Sequence, residues 1–338
     1  SVLPGATVRL FASNDTTEIN VGLDGILNTV DDAAGGMLTD AGGLYRFAGL
    51  PAGDYIVKVV SPTGLTSTID TYSPADSTDP DTNVDNNDNG IGVGFGTVSA
   101  NTLTMSAGEV AANVTVTNAN GTTVDTTVDF GFIGMVAIGN RVWFDTGVGG
   151  GISNNGILDG GETGVPNLTV ELYTSTGTFV TSTTTDASGY YQFDQLYPGT
   201  YYVFIPASQF QTGGALEDYF SSVGNGINET LDENVDENGI DNAAPATNGI
   251  RSIDYILTPG TEQTGENQSN YMGVLADNSV NFTADFGFTQ KYSLGNRVWF
   301  DTDNSSTING SEVGIDGVTV NLYTAGNLTT IVATDTTT

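Results

Sequence analysis

Oxygen-bearing side chains gather in three kinds of Gly- and Asn-rich loop, and the chemistry open to such loops is capture of a hard divalent cation. Calcium takes about six to eight oxygens from carboxylates, carboxamides and backbone carbonyls on flexible loops. The first kind follows an aspartate: Asp145 leads to Asn155, Asp159 and Glu162, and Asp301 leads to Asp303, Asn309 and Glu312 in a loop six residues shorter. The second kind is the densest. Asp79, Asp81, Asn83, Asp85, Asn87 and Asp88 in one copy answer to Asp232, Asn234, Asp236, Asn238 and Asp241 in the other. Oxygens at alternate positions, closed by Gly90 or Gly239, suit an EF-hand-like loop without its helices. The third kind carries Asp24, Asp31 and Asp32 and has no counterpart further along. Unpaired, so many carboxylates repel one another, and a Ca2+ ion turns that repulsion into attraction. The competing reading is a solvated acidic surface.

Composition narrows the remaining classes. Seven Lys+Arg against 40 Asp+Glu give a formal net charge of −33, which repels nucleic acid and anionic lipid. With no cysteine and no histidine, disulfides, zinc–thiolate sites, thiol nucleophiles and imidazole acid–base chemistry are all excluded. A β-protein without disulfides needs another staple, and metal is the one available. No apolar run approaches the ~18 residues of a membrane span. Paired carboxylates can hydrolyse glycosides, but the acids sit in Gly/Asn loops while the aromatics alternate along strand-like runs, so no enzyme is expected.

The elements that must position these loops are short Val-, Ile-, Thr-, Tyr- and Phe-rich runs broken by Gly, Asn, Asp and Pro, the pattern of an all-β sandwich. GNRVWFD stands at 139–145 and again at 295–301, each time preceded by DFGF, at 129–132 and 285–288. GVPNLTVELYT at 164–174 has relatives at 314–324 and 2–12. Identical words at a long fixed period mean one folded unit in tandem. In the middle unit strands are expected near 137–145, 168–174, 179–185, 190–194, 200–205, 251–257 and 280–288, enough for an immunoglobulin-like sandwich. The LxxGxY words at 50–55 and 196–201 read as tight connections whose glycine supplies a positive φ.

The order GNRVWFDT, Asn/Gly/Asp loop ending in Glu-x-Gly, GVPNLTVELYT, TTDASGYYQF, LYPGTYYV resembles the B-type repeats of serine-aspartate surface proteins, the SdrD B-like family, kin to collagen-adhesin B-type (Cna-B) domains. The resemblance implies tandem immunoglobulin-like or prealbumin-like β-sandwich domains on cell surfaces, with calcium in their loops. It divides the chain into 1–134, a sandwich lacking its first strand; 135–289, a complete one; and 290–338, the first strands of a further one. Against the family's D…NGxxDxGE pattern, Ser311 stands where the last loop's final aspartate is expected. Cna-B domains often carry a Lys–Asn isopeptide bond, but the middle unit has no lysine, so that bond is no general staple here. The expected function is structural: a segment of an extracellular filament, stalk or adhesin shaft, whose partners are adjacent repeats or copies of itself, as a continuous chain or by strand donation. The rival is a surface adhesin module binding host protein or polysaccharide through long loops such as 98–112 or 258–277, with Tyr219, Phe220 and Tyr271 as its candidate contacts.

Overall fold

A computed structural model describes residues 2–68, 88–91, 97–105, 116–117, 123–124, 128–223, 237–266, 268–290 and 292–338. Residues 1–290 form one compact unit and residues 291–338 another. Nearly every element is a β-strand.

The central sandwich is built from β1 (Val136–Phe144), β2 (Thr169–Thr174), β3 (Phe179–Thr184), β4 (Tyr190–Leu196), β5 (Gly199–Ile205), β6 (Tyr219–Ser221), β7 (Ile250–Arg251), β8 (Tyr255–Leu257), β9 (Val280–Asn281) and β10 (Phe286–Gln290). One sheet runs β4-β1-β10-β6, with β9 also on β1; the other runs β3-β2-β5-β7, with β8 also on β5. Side chains alternate across a strand, so every second residue enters the space between the sheets. Val170 and Leu172 on β2, Val203 and Ile205 on β5, Tyr191 and Phe193 on β4 and Phe286 and Phe288 on β10 do so and are buried together. β1 to β5 fall where the sequence predicts strands, whereas the runs expected at 251–257 and 280–288 are each broken into two short strands, β7 with β8 and β9 with β10. Tyr219–Ser221 was not foreseen: it is too short to show a period, and its pairing with β10 defines it.

The first sandwich repeats the scheme in register. Thr7–Ala12 pairs with Gly53–Val60 so that Leu10 faces Val57 and Ala12 faces Tyr55, as Leu172 faces Val203 and Thr174 faces Tyr201. Leu65–Ser67 pairs with Phe132–Gly134, as β6 pairs with β10. In the LxxGxY words the tyrosine hydroxyl closes the turn, Tyr55 donating to the Pro51 carbonyl at 2.6 Å and Tyr201 to that of Tyr197 at 2.8 Å. Gly53 has the expected positive φ (158°), whereas in the second word the positive φ falls on Gln195 (59°), one residue before the leucine.

Within this unit the two sandwiches meet over residues 134–137. The Met135 amide donates to the Gly64 carbonyl at 3.0 Å. Met135 and Leu275 are buried together with Ala137, Val280 and Phe282. Gly134 lies against Pro259, where an added Cβ would come within 2.6 Å of the ring. Gly134→Val is therefore expected to force this junction open at a cost of about 1–3 kcal/mol, checked by a lower melting temperature and a broader distribution of interdomain distances in small-angle X-ray scattering. The unit 291–338 carries a hairpin, Thr319–Tyr323 with Ile331–Thr336, and a bridge between Trp299 and Gly314 equivalent to that between Trp143 and Gly164.

Candidate metal centre

Asp145 directly follows the first strand of the central sandwich and is fully buried, because the loop after it folds back over its carboxylate. The amides of Asn154 (2.6 Å) and Gly156 (2.8 Å) each donate to one of its oxygens. Glu162 closes the loop from the far side, accepting from Gly147 at 2.7 Å and from the Asp159 amide at 3.2 Å. Burial pushes the Glu162 carboxyl up, and the charges of Asp145 and Asp159 add to this. Asn155 donates its amide to Asp159 at 3.1 Å. The sequence-predicted set of Asp145, Asn155, Asp159 and Glu162 thus occupies one loop, each carboxylate retaining lone pairs for a cation.

The shorter copy folds alike. Ser305 (3.1 Å) and Ser306 (2.8 Å) donate to the two oxygens of Asp301, and Glu312 accepts from the amides of Thr302 (2.8 Å) and Asn309 (3.2 Å). Asp301, Asp303 and Glu312 bring one carboxylate oxygen each within 4.8 Å of one another, the only such trio among the described residues. The serine and asparagine bonds of Ser305 and Asn309 hold the Asp303 carboxyl below its ordinary value. The bonds also correct one reading of the sequence. Asn309, and not Ser311, stands where Asp159 stands: both donate to the closing glutamate at 3.2 Å, and that glutamate's amide returns to their carbonyls at 3.2 Å.

The dense loops are described only at their C-terminal ends. Asp79, Asp81, Asn83, Asp85 and Asn87, with Asp232, Asn234 and Asp236, lie outside the described residues. At the described end the two copies are pinned by the same bonds. Asn89 exchanges two bonds with the backbone of Asp129 (2.8 and 2.7 Å), and Asn238 exchanges two with Asp285 (3.0 and 2.8 Å). Asp88 accepts from Gly90 at 2.9 Å and from the Thr68 hydroxyl; Glu237 accepts from Gly239 and from the Ser221 hydroxyl, both at 2.9 Å. Each acidic loop is thereby tied to the DFGF strand of its own sandwich. Asn238→Ala would leave the buried Asp285 amide without its acceptor, so a loss of about 1–3 kcal/mol is expected, with a similar loss for Asn89→Ala, read from urea unfolding midpoints.

Sequence reading passed over Glu237. It is fully buried, and its Oε2 has no hydrogen-bond partner among the described residues. Burial pushes its pKa well up, and the nearby charges of Asp241 and Asp145 push it further. A carboxylate so placed costs free energy unless a cation or a proton answers it. The first loop meets the segment that leads into the dense loop, where the Val223 amide donates to Asn154 at 3.1 Å. The only signal was positional: Asp88 and Glu237 each precede an Asn-Gly-Ile word.

In the third loop Asp31 accepts from the amides of Leu23 and Asp24 and from Thr29 Oγ1, while Asp32 accepts from those of Asn28 and Thr29 and Asp24 from that of Ile26. The Thr29 hydroxyl, foremost, holds the Asp31 carboxyl low. These acids serve as turn acceptors for their own backbone. The aromatics considered for recognition are half-buried: Tyr219 packs on Phe144 at 4.8 Å, Phe220 lies within β6, and Tyr271 donates to Asp194 at 2.7 Å and packs on Phe282.

The profile of the SdrD B-like domain matches residues 13–108 and 136–255. Serine-aspartate repeat-containing protein F of Staphylococcus epidermidis (strain ATCC 12228 / FDA PCI 1200) is 30% identical over 312 residues, covering 91% of this chain and 14% of that protein. Colossin-B of Dictyostelium discoideum is 29% identical over 331 residues, covering 90% and 7%. Serine-aspartate repeat-containing protein D of Staphylococcus aureus (strain Newman) is 29% identical over 308 residues, covering 89% and 18%. The chain spans less than a fifth of each of these relatives. Among solved structures, the Bacillus anthracis TIE protein aligns with 100% of this chain and 39% of its own at 12% identity and a TM-score of 0.25. The group B streptococcus pilus 2b backbone protein aligns over 85% and 78% at 12% identity and a TM-score of 0.24.

Proposed function

The chain belongs to the SdrD B-like domain family, and on that premise we propose that it is a segment of an extracellular, cell-surface shaft made of tandem calcium-stabilised β-sandwiches. Its repeats are 1–134, 135–289 and the opening strands at 290–338, and its mechanical partners are the neighbouring repeats. The observation that carries this reading is the repeated tether: in both sandwiches the acidic loop is fastened by a paired Asn–Asp backbone clamp to the DFGF strand, which runs directly into the next repeat. Asp145, Asn155, Asp159, Glu162, Glu237 and Asp241 would hold an ion in the central sandwich, and Asp301, Asp303 and Glu312 one in the next. The ion supplies charge neutralisation and cross-links two loops; it performs no reaction. No arrangement of described residues argues for a ligand-recognising surface instead.

Small-angle scattering of the full chain tests the shaft. Calcium is expected to give an extended particle whose maximum dimension changes little with temperature below the melting transition, and chelation to give a more variable one. Identical scattering profiles with and without calcium would remove the ion from the account of stiffness.

A further inference from the structure

We propose that Asn309 is a site of spontaneous deamidation, which converts the last acidic loop from an amide-bearing to a fully carboxylate form. The conversion needs only an Asn–Gly pair with room to cyclise. The Gly310 nitrogen attacks Asn309 Cγ and gives up its proton to solvent, while the side-chain nitrogen takes one proton and leaves as ammonia. Water then adds to the succinimide. Addition at Cγ restores the backbone and leaves Asp; addition at the main-chain carbonyl leaves isoaspartate. Glycine matters because it puts no Cβ in the way of this approach.

The chain holds seven Asn–Gly pairs, five of them among the described residues: those beginning at Asn89, Asn155, Asn238, Asn248 and Asn309. Packing separates one from the rest. A methyl group added to Gly90 would lie 2.7 Å from Val98, and one added to Gly156, Gly239 or Gly249 would overlap Val223, Glu237 or Phe204. At Gly310 it would meet nothing within 4 Å. Asn89 and Asn238 are moreover buried with their carbonyl oxygens accepting backbone amides, and that of Asn155 accepts from Ile157 at 3.0 Å. Asn309 is exposed, and only its amide nitrogen is held, by Asp303 at 3.1 Å and Ser305 at 2.9 Å.

The product has a precedent in the same chain. Asn309 occupies the place of Asp159, with the same pair of bonds to the closing glutamate, so aspartate is a residue this loop geometry accepts. Deamidation adds a carboxylate beside Asp301, Asp303 and Glu312, the trio already within 4.8 Å. Affinity of such loops for a divalent or trivalent ion follows their ligand charge, so at least about a tenfold tightening is expected. That consequence rests on the ion-binding reading proposed above; the conversion itself does not.

The test ages the full chain at neutral pH and follows each Asn–Gly pair by peptide mass spectrometry, with electron-transfer fragmentation to tell aspartate from isoaspartate. Terbium, sensitised by tryptophan, is the binding probe. Asn309 is expected to convert to aspartate well before Asn89, Asn155, Asn238 and Asn248. The aged chain should gain terbium affinity, N309D should show the gain at once, and N309Q should never acquire it. Persistence of Asn309 for as long as buried Asn238 would overturn the proposal, as would isoaspartate as the main product with weakened terbium binding. Conversion without any change in terbium affinity, in aged chain and N309D alike, would keep the modification and instead remove the loop's role as an ion site.

Discussion

Chelation of divalent ions is expected to lower the melting temperature of the full chain by roughly 5–10 °C, and calcium, but not magnesium, to restore it. An ion at 100 times its dissociation constant stabilises the folded state by about 2.7 kcal/mol. With one ion in each sandwich, and each kcal/mol moving the midpoint of a domain of this size by about 2–4 °C, the shift is about 5–10 °C. Magnesium demands a smaller, near-octahedral cage and dehydrates reluctantly, so flexible carboxylate loops select against it. The pH dependence supplies an internal control. Burial raises the Glu237 and Glu162 carboxyls, so without the ion the folded chain holds protons that the unfolded chain releases. Their protonation then favours folding fully below the ordinary glutamate value, and this contribution is lost as pH rises through the raised folded values. In chelator the melting temperature should therefore climb as pH falls from neutral. In calcium it should fall, as protons displace the ion, and the two curves should meet in acid. Parallel curves, or an unchanged melting temperature in chelator, would leave the acid clusters as solvated surface.

Why the loops were legible and their anchors were not follows from what each contributes to the sequence. Asp145, Asp159 and Glu162 advertise themselves because they crowd one Gly- and Asn-rich loop, and the heptapeptide before them recurs intact. The strands were legible because Val170–Leu172 or Tyr191–Phe193 must alternate to fill one side of a sheet. Glu237 was hidden by its surroundings: among Asp232, Asp236 and Asp241 it reads as one more surface acid, and only the fold, by closing Ser221 and Gly239 over it, makes it a buried one. The Asn238–Asp285 clamp was hidden by distance, since nothing in a sequence pairs residues on two separate segments except their joint recurrence as Asn89 and Asp129. The short strand at Tyr219–Ser221 and the positive φ at Gln195 are set by their neighbours in space, which local pattern does not encode.

Phe286→Ala is expected to cost about 3–5 kcal/mol, while Phe130→Ala at the same place in the first sandwich should cost clearly less. Phe286 is fully buried because β1 lies along β10 in parallel, with Val142 opposite Phe286 and Phe144 opposite Phe288. The side chain joins a core with both sheets around it, the situation in which truncation loses the transfer energy of the ring and leaves a cavity that rigid neighbours cannot fill. Phe130 and Phe132 pack only at the margin of their core and are half-buried, and no strand among the described residues lies along them as β1 lies along β10. Truncation there removes less buried area and opens a site that water can enter, so the cavity penalty largely vanishes. Urea unfolding is followed by tryptophan fluorescence for the central sandwich, where Trp143 is fully buried against Gly287 of the same DFGF word, and by circular dichroism for the first sandwich, which has no tryptophan. Equal losses for the two variants would mean that the GNRVWFD strand is not what buries this aromatic pair. A loss confined to Phe286→Ala would make that strand the principal stabilising element of the repeat: it closes the core on one side and, through Asp145 just after it, opens the acidic loop on the other.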